Sequence, residues 1–440
     1  MEMRSVPTAS TVMLLLLLLS AAATTVRGQA LVPGMMIFGD SVVDAGNNNR
    51  LATLVRADFP PYGRDFPATH APTGRFCNGK LATDYTGKKL APCISPRSSL
   101  NCWRFHHSDT HEWFICGTIT DGMGCMDAVE NLGLSSYPPA YLSEEAQSNN
   151  KSLLHGANFA SGGAGYLDAT AALYVRVHRS PTCSIHHACV ASRLMLLLTL
   201  LTDLWIRTYA RVQGAMSLSR QAQYFREYQS RVAASAGEKK ARALTSGSIY
   251  VVSAGTSDYV QNYYVNPMMA AAYTPEQFAD ALMQPFTSFV EGLYSLGARR
   301  IGVTSLPPMG CLPASVTLFG GGNPGCVERL NNDSLTFNRK LGAAADAVKQ
   351  RRPDLKLVVF DIYQPLLDLV NNPTNAGFFE SRRACCGTGT IETSVLCHQG
   401  APGTCSNATG YVFWDGFHPT DAANRVLADS LLMQGLQLIA

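Results

Sequence analysis

Asp415 and His418 stand three residues apart in the stretch WDGFHPTDAANRVLADSLL, and Ser41 stands far upstream in MIFGDSVVDAGNNN. A serine hydroxyl is a poor nucleophile until an imidazole accepts its proton, and that imidazole needs a carboxylate to fix its tautomer. These three residue types are therefore the parts of an acyl-transfer site. Each also has a plainer reading. A serine after a strand commonly caps the following helix, and an Asp–His pair at this spacing is often a structural contact. The chemistry also needs N–H donors for a developing oxyanion, each typically worth about 3 kcal/mol of barrier. The Gly-rich stretch HGANFASGGAG, residues 155–165, lets backbone approach a ligand closely, and SAGTSDY, residues 253–259, ends an apolar run.

The elements between these residues must bring them together. GMMIF, IYVVSAGTSDY, RRIGVTSL and LKLVVFDIY predict strands, and SLSRQAQYFREYQSRVAASAGEKKARAL predicts one long helix. In TPEQFADALMQPFTSFVEGLYSLG, Thr274 and Gln277 form a capping box, Pro275 takes the first helical position and Gly297 stops the helix. Further helices are expected from Val327 to Arg351 and from Thr420 onward. Repeated strand–helix units predict an α/β fold with a parallel sheet covered on both faces. The carboxyl ends of such strands gather at one edge, where ligands bind. Ser41, the Gly162 loop and the Ser257 region are expected there, with the Asp415–His418 loop over them.

In order, FGDSVVDAGNN, GANFASGGAG, GTSDY and DGFHPT resemble the sequence blocks of the GDSL esterase/lipase family, in its plant secreted branch, within the SGNH hydrolases. GRFCNGK, YPPAYL and GARRIGVTSLPPMGCLP resemble that branch as well. The resemblance implies a three-layer α/β/α sandwich with a flavodoxin-like sheet, and ester hydrolysis through an acyl-enzyme. It makes Ser41 the nucleophile, His418 the general base and Asp415 its orienting partner. Ser41 is also the first oxyanion donor, and Gly162 matches the second, with Gly163 one register step away. No metal or cofactor is implied. One position departs from the pattern. The family's third donor is the Asn of G-x-N-D, but here the block reads Gly255-Thr256-Ser257-Asp258, so Ser257 stands in its place. Asn262 lies near enough in sequence to be a substitute.

Composition bounds the context. The chain has 440 residues, 46% hydrophobic and 15% charged, with a net charge of +3 and no basic run, which argues against nucleic acid as a partner. Arg4 followed by VMLLLLLLSAAA reads as a secretory signal over residues 1–28, too short to span a bilayer, leaving residues 29–440 as a single hydrolase domain in an extracellular or cell-wall setting. Asn150, Asn332 and Asn407 begin N-x-[ST] triplets and are candidate glycosylation sites. In an oxidising compartment, Cys385, Cys386, Cys397 and Cys405 are expected to form disulfides bracing the catalytic loop rather than a zinc knuckle with His398.

Two stretches, 87–128 and 175–213, break the strand–helix pattern. They hold three of the four Trp, six of the ten His and six of the thirteen Cys. Long irregular insertions do not suit a compact domain, and both are read as translated introns. Gly87-Lys88 can be encoded with a donor-like GGTAAG and Gln213 with a terminal CAG. Removing their six cysteines leaves seven, among them Cys77, Cys311 and Cys326, so one stays unpaired. His107 and His111, with Glu112 adjacent, echo a zinc helix without its context, and LMLLLTLLTDLWI is too short for a membrane span. Gly74 to Lys80 spells G-x-x-x-x-G-K, but Leu81 replaces the Ser or Thr that a magnesium site needs. The G-x-S-x-G elbow of the other large esterase class is absent from the sequence. Two other functions use the same fold: a secreted binding protein without activity, favoured by Ser257, and acyl transfer to an acceptor other than water. The expected partner is a small-molecule, lipid or cell-wall ester.

Overall fold

The structure, a computed structural model, describes residues 31–67, 69–87, 134, 136–172 and 214–440, with the backbone of two strands at 101–105 and 113–117. Five short strands form one parallel sheet: β1 (Met35–Gly39), β2 (Gly156–Asn158), β3 (Ile249–Ser253), β4 (Arg300–Thr304) and β5 (Lys356–Phe360). Their order, β2-β1-β3-β4-β5, is the flavodoxin-like 2-1-3-4-5 arrangement. The principal helices are α1 (Ala82–Gly87), α2 (Leu218–Ala236), α3 (Glu238–Gly247), α4 (Pro275–Ser295), α5 (Glu328–Arg351), α6 (Tyr363–Asn371) and α7 (Asp421–Ile439).

Strand alternation decides which helices lie on which face. Phe38, Tyr250, Val252, Ile301 and Val303 point one way and pack with Phe225 of α2, Phe286 of α4 and Phe337 of α5. Met35, Ile37, Ile249, Val251 and Phe360 point the other way and meet Leu438 of α7. Both faces are therefore buried, which is why the strands read as continuous apolar runs. The result is the expected three-layer α/β/α sandwich.

Local signals account for most boundaries. The capping box at Thr274 and Gln277 forms, with Pro275 opening α4, and Thr420 caps α7 by accepting the N–H of Ala423. Three features differ from the sequence reading. The single helix expected over SLSRQ…ARAL is broken into α2 and α3 at Gly237, whose φ of 85° no helix accommodates. HGANFASGGAG, which its glycines mark as a loop, opens with β2, which is too short to show a period. Residues 101–105 and 113–117 pair as an antiparallel hairpin where no element was expected. The rest of the two odd stretches, including His107, His111, Glu112 and the Leu-rich run, lies outside the described residues.

Beside the sheet, β6 (Glu380–Ala384) and β7 (Tyr411–Phe413) pair in parallel. Disulfides join Cys385 to Cys405 and Cys386 to Cys397 around them, and Cys311 to Cys326 nearer α5. Cys77 is unpaired and buried. The four clustered cysteines are thus engaged with one another, which excludes the zinc knuckle. Among the described residues, no helix is long and apolar enough to cross a membrane.

Candidate active site

Ser41 owes its position to the residue two before it. At Gly39, the end of β1, φ is 138°, and a Cβ built there would lie 1.9 Å from the Ser253 carbonyl oxygen. Only glycine lets β1 and β3 approach so closely. Gln221 of α2 then clamps this residue, accepting the Gly39 N–H at 2.9 Å and donating to its carbonyl at 2.8 Å. The Asp40 N–H donates to the Ser253 carbonyl, and the Asp40 carboxylate accepts the Val42 N–H at 3.1 Å. Residues 41–43 form a turn with no helix behind it, the next element being a short 3-10 turn at Asn47–Arg50. Ser41 therefore caps nothing, contrary to the plainer reading.

The three expected residues form one hydrogen-bonded chain. His418 Nε2 lies 2.7 Å from Ser41 Oγ, and Nδ1 lies 2.7 and 2.9 Å from the two Asp415 oxygens. An ionised carboxylate only accepts, so Nδ1 carries the proton and Nε2 is left to accept that of Ser41. Asp415 is fully buried and receives four further donors. The N–H groups of Phe417 and His418 reach Oδ1 at 2.9 Å, while Tyr62 Oη at 2.7 Å and Thr393 Oγ1 at 3.0 Å reach Oδ2. Burial, followed by the Asp415 charge, pushes the Tyr62 phenol well above its usual range, so it stays a donor. The Phe76 ring packs on the imidazole at 5.2 Å between centroids. Its neighbour Arg75 makes a buried bidentate pair with Asp84, at 2.7 and 2.8 Å.

On the opposite side of Ser41 the two adjacent glycines differ in their hydrogen bonding. Gly162 donates its N–H to Asp44 Oδ2 at 3.1 Å, so that donor is engaged by the turn that follows Ser41. Asn48 holds the same glycine through its carbonyl at 2.9 Å, and Asn47 holds Asn158 and Ala160 likewise. The next residue, Gly163, has φ of 87° and an N–H with no hydrogen-bond partner among the described residues. Asn262, the suggested substitute, donates instead to Thr170 Oγ1 at 3.0 Å and does not line the cavity of Ser41. Ser257 does reach the site. Ser41, Ser257, Gln261 and His418 line one cavity of about 370 Å³, with Leu54, Val395 and Leu396 among its walls. Sequence reasoning missed Tyr62, Thr393 and Gln261, which belong to no motif with a recognisable spacing.

Buried carboxylates give the site a marked electrostatic character. Burial raises Asp40, beside the nucleophile, to about 7, with the negative charge of Asp258 adding to the shift and the Val42 N–H and His418 opposing it. Burial likewise raises Asp44 and Asp258 to about 6, although Asp44 accepts the N–H groups of Gly46, Asn47 and Gly162, and Asp258 those of Tyr166 and Leu167 with the Thr170 hydroxyl. Among the described residues, no cluster of three or more His, Cys, Asp or Glu is placed to hold a metal ion. At the phosphate-loop-like stretch the Lys80 N–H donates to Asp421 at 2.5 Å, so a carboxylate occupies the place a phosphate needs. Of the N-x-[ST] triplets, Asn150 is exposed at the start of a short 3-10 turn and Asn407 is exposed in a loop. Asn332 is exposed on α5, but its Ser334 is buried.

The profile of a family described as GDSL-like Lipase/Acylhydrolase matches residues 117–431. That match starts inside the first odd stretch and leaves out the Ser41 block. Whole-length comparison restores it. A GDSL esterase/lipase of Arabidopsis thaliana is 48% identical over 94% of this chain and 94% of its own. The GDSL esterase/lipase APG of the same plant is 46% identical over 93% of this chain and 92% of its own. A span of 94% of 440 residues omits too few at either end to exclude Ser41.

Proposed function

Since the chain belongs to the GDSL esterase/lipase family and is an ester-hydrolysing enzyme, we propose that it works through an acyl-enzyme on Ser41. His418 Nε2 takes the hydroxyl proton as Ser41 Oγ attacks the ester carbonyl carbon. Asp415 holds the imidazole and stabilises the imidazolium that forms. The N–H groups of Ser41 and Gly163, both without a partner among the described residues, take the developing oxyanion, with Gly163 replacing Gly162 in that role. His418 returns the proton to the leaving alcohol as the C–O bond breaks. Water then attacks the acyl-enzyme with the same imidazole as base, and Ser41 is regenerated. The observation that carries this reading is the unbroken Ser41–His418–Asp415 chain at 2.7 Å per link.

The substrate is a small-molecule or lipid ester. Leu54, Val395 and Leu396 line the cavity and remain 47%, 44% and 52% exposed, an apolar rim suited to an acyl chain of moderate length. The chain acts outside the cell as one domain over residues 29–440, a reading supported by three disulfides and the apolar leader, with glycans on Asn150, Asn332 and Asn407. The test is turnover of p-nitrophenyl esters of increasing chain length by the wild type, Ser41→Ala and His418→Ala. Turnover by the wild type alone supports the mechanism. Equal rates in all three refute it.

A further inference from the structure

Ser257 leaves a gap in the donor set, and a residue one helical turn onward stands where it can fill it. Gln261 follows Ser257 at i+4, so the two share a face, and both line the cavity of Ser41 and His418. The turn Asp258–Tyr263 is π-helical, with the Tyr264 N–H donating to the Tyr259 carbonyl at 2.8 Å, a winding concentrated at functional sites. Gln261 Oε1 is buried with no hydrogen-bond partner among the described residues, an unfavourable state that a bound group relieves. It also abuts the glycine whose N–H has no partner among the described residues: a Cβ built on Gly163 would lie 3.6 Å from Oε1. A half-turn about the last side-chain torsion exchanges the amide oxygen and nitrogen at no steric cost.

We infer that the Gln261 amide is the third oxyanion donor, in place of the asparagine absent from position 257. This rests on the acyl-enzyme reading above. When the ester binds, Nε2 turns toward the carbonyl oxygen and joins the N–H groups of Ser41 and Gly163. The other amide nearby, Asn262, is engaged by Thr170, and the Ser257 hydroxyl is shorter than an amide and free to rotate.

The test uses the full chain and short p-nitrophenyl esters, comparing wild type, Gln261→Leu, Gln261→Glu and Gln261→Leu/Ser257→Asn. A donor acting only in the transition state predicts that Gln261→Leu lowers kcat about 100-fold with KM nearly unchanged. Gln261→Glu, equal in size but bearing a negative charge, lowers it at least as far, which removes loss of packing as the cause. The double variant recovers most of the lost kcat, because an asparagine at position 257 restores the amide. A Gln261→Leu enzyme with wild-type kcat, or one altered only in KM, overturns the inference while leaving the Ser41 mechanism intact. A folded wild type without turnover overturns both.

Discussion

Around Asp415 the carboxylate is positioned by four donors besides the His418 imidazole, and two of them come from residues remote in sequence. A hydrogen bond to a buried charge is worth about 1.5–3 kcal/mol. Tyr62→Phe removes one while keeping the ring in its aromatic cluster with Phe76 and Trp414. We expect kcat/KM to fall by about ten- to hundred-fold, roughly the rate equivalent of that energy, in steady-state kinetics on a fold unchanged by circular dichroism. Ser41, Asp415 and His418 were legible in the sequence because three residue types and their order carry the chemistry. Tyr62 and Thr393 were not, since a donor to a carboxylate needs only a hydroxyl and leaves no spacing to recognise. The sequence could not choose between Gly162 and Gly163, because adjacent glycines look alike there; in the structure the bond from the Gly162 N–H to Asp44 distinguishes them.

Among the elements, the segment that carries Thr393 to Leu396 does most to shape the cavity. It is fixed at one end by the Cys386–Cys397 disulfide. In its middle the Ser394 N–H donates to Tyr62 Oη at 2.7 Å, and Ser394 Oγ donates to the Leu54 carbonyl at 2.5 Å. Ser394 has φ of 51°, a conformation that costs a non-glycine residue energy and persists only under such restraint. Opening the bridge with Cys386→Ser/Cys397→Ser is expected to lower stability by about 2–4 kcal/mol and to raise KM, as the Val395–Leu396 wall loosens. Chemical denaturation and steady-state kinetics read the two effects separately. The disulfides were anticipated as a class, but four clustered cysteines permit three pairings, and sequence cannot choose among them. At the strand end, Gly39→Ala is expected to abolish folding or activity, because its Cβ has nowhere to go beside the Ser253 carbonyl. Soluble yield and ester turnover check it.

For the whole molecule, the buried carboxylates set the dependence of stability on pH. Asp40, Asp44 and Asp258 titrate at about 7, 6 and 6 in the folded protein, against 3.8 when exposed. Between about pH 4 and 7 the folded state thus holds protons that the unfolded chain has released, and stability falls as pH rises. Glu392 acts oppositely. Thr388 and Thr390 donate to it and, despite burial, lower it to about 2, so its contribution is lost as pH falls below 4.5. The thermal midpoint is expected to peak near pH 4 to 5, and Asp40→Asn to flatten the decline above it. A midpoint that climbs steadily to pH 8 contradicts this.

The two odd stretches belong to the same scale, and we propose that both are translated introns. α1 ends at Gly87, where the first begins, and its Thr83 and Thr86 border an apolar cavity of about 240 Å³ beside Ile249, Phe360 and Leu438. Joining Thr86 to Val129 puts Leu132 seven residues after Thr83 and four after Thr86, on that same helical face. A chain lacking 87–128 and 175–213 is expected to be more stable than the full chain, with a higher thermal midpoint. Transcript reads covering both stretches intact contradict the proposal. The α/β/α architecture was legible because apolar strands and capped helices alternate, whereas β2, three residues long, carries too little pattern to announce itself.

The most direct measurement is fluorophosphonate labelling of the folded protein, with the modified residue located by peptide mass spectrometry. A single adduct on Ser41, absent in Ser41→Ala and in His418→Ala, is the result this account predicts. An adduct on another serine, or none on a wild type that still turns over ester, contradicts it.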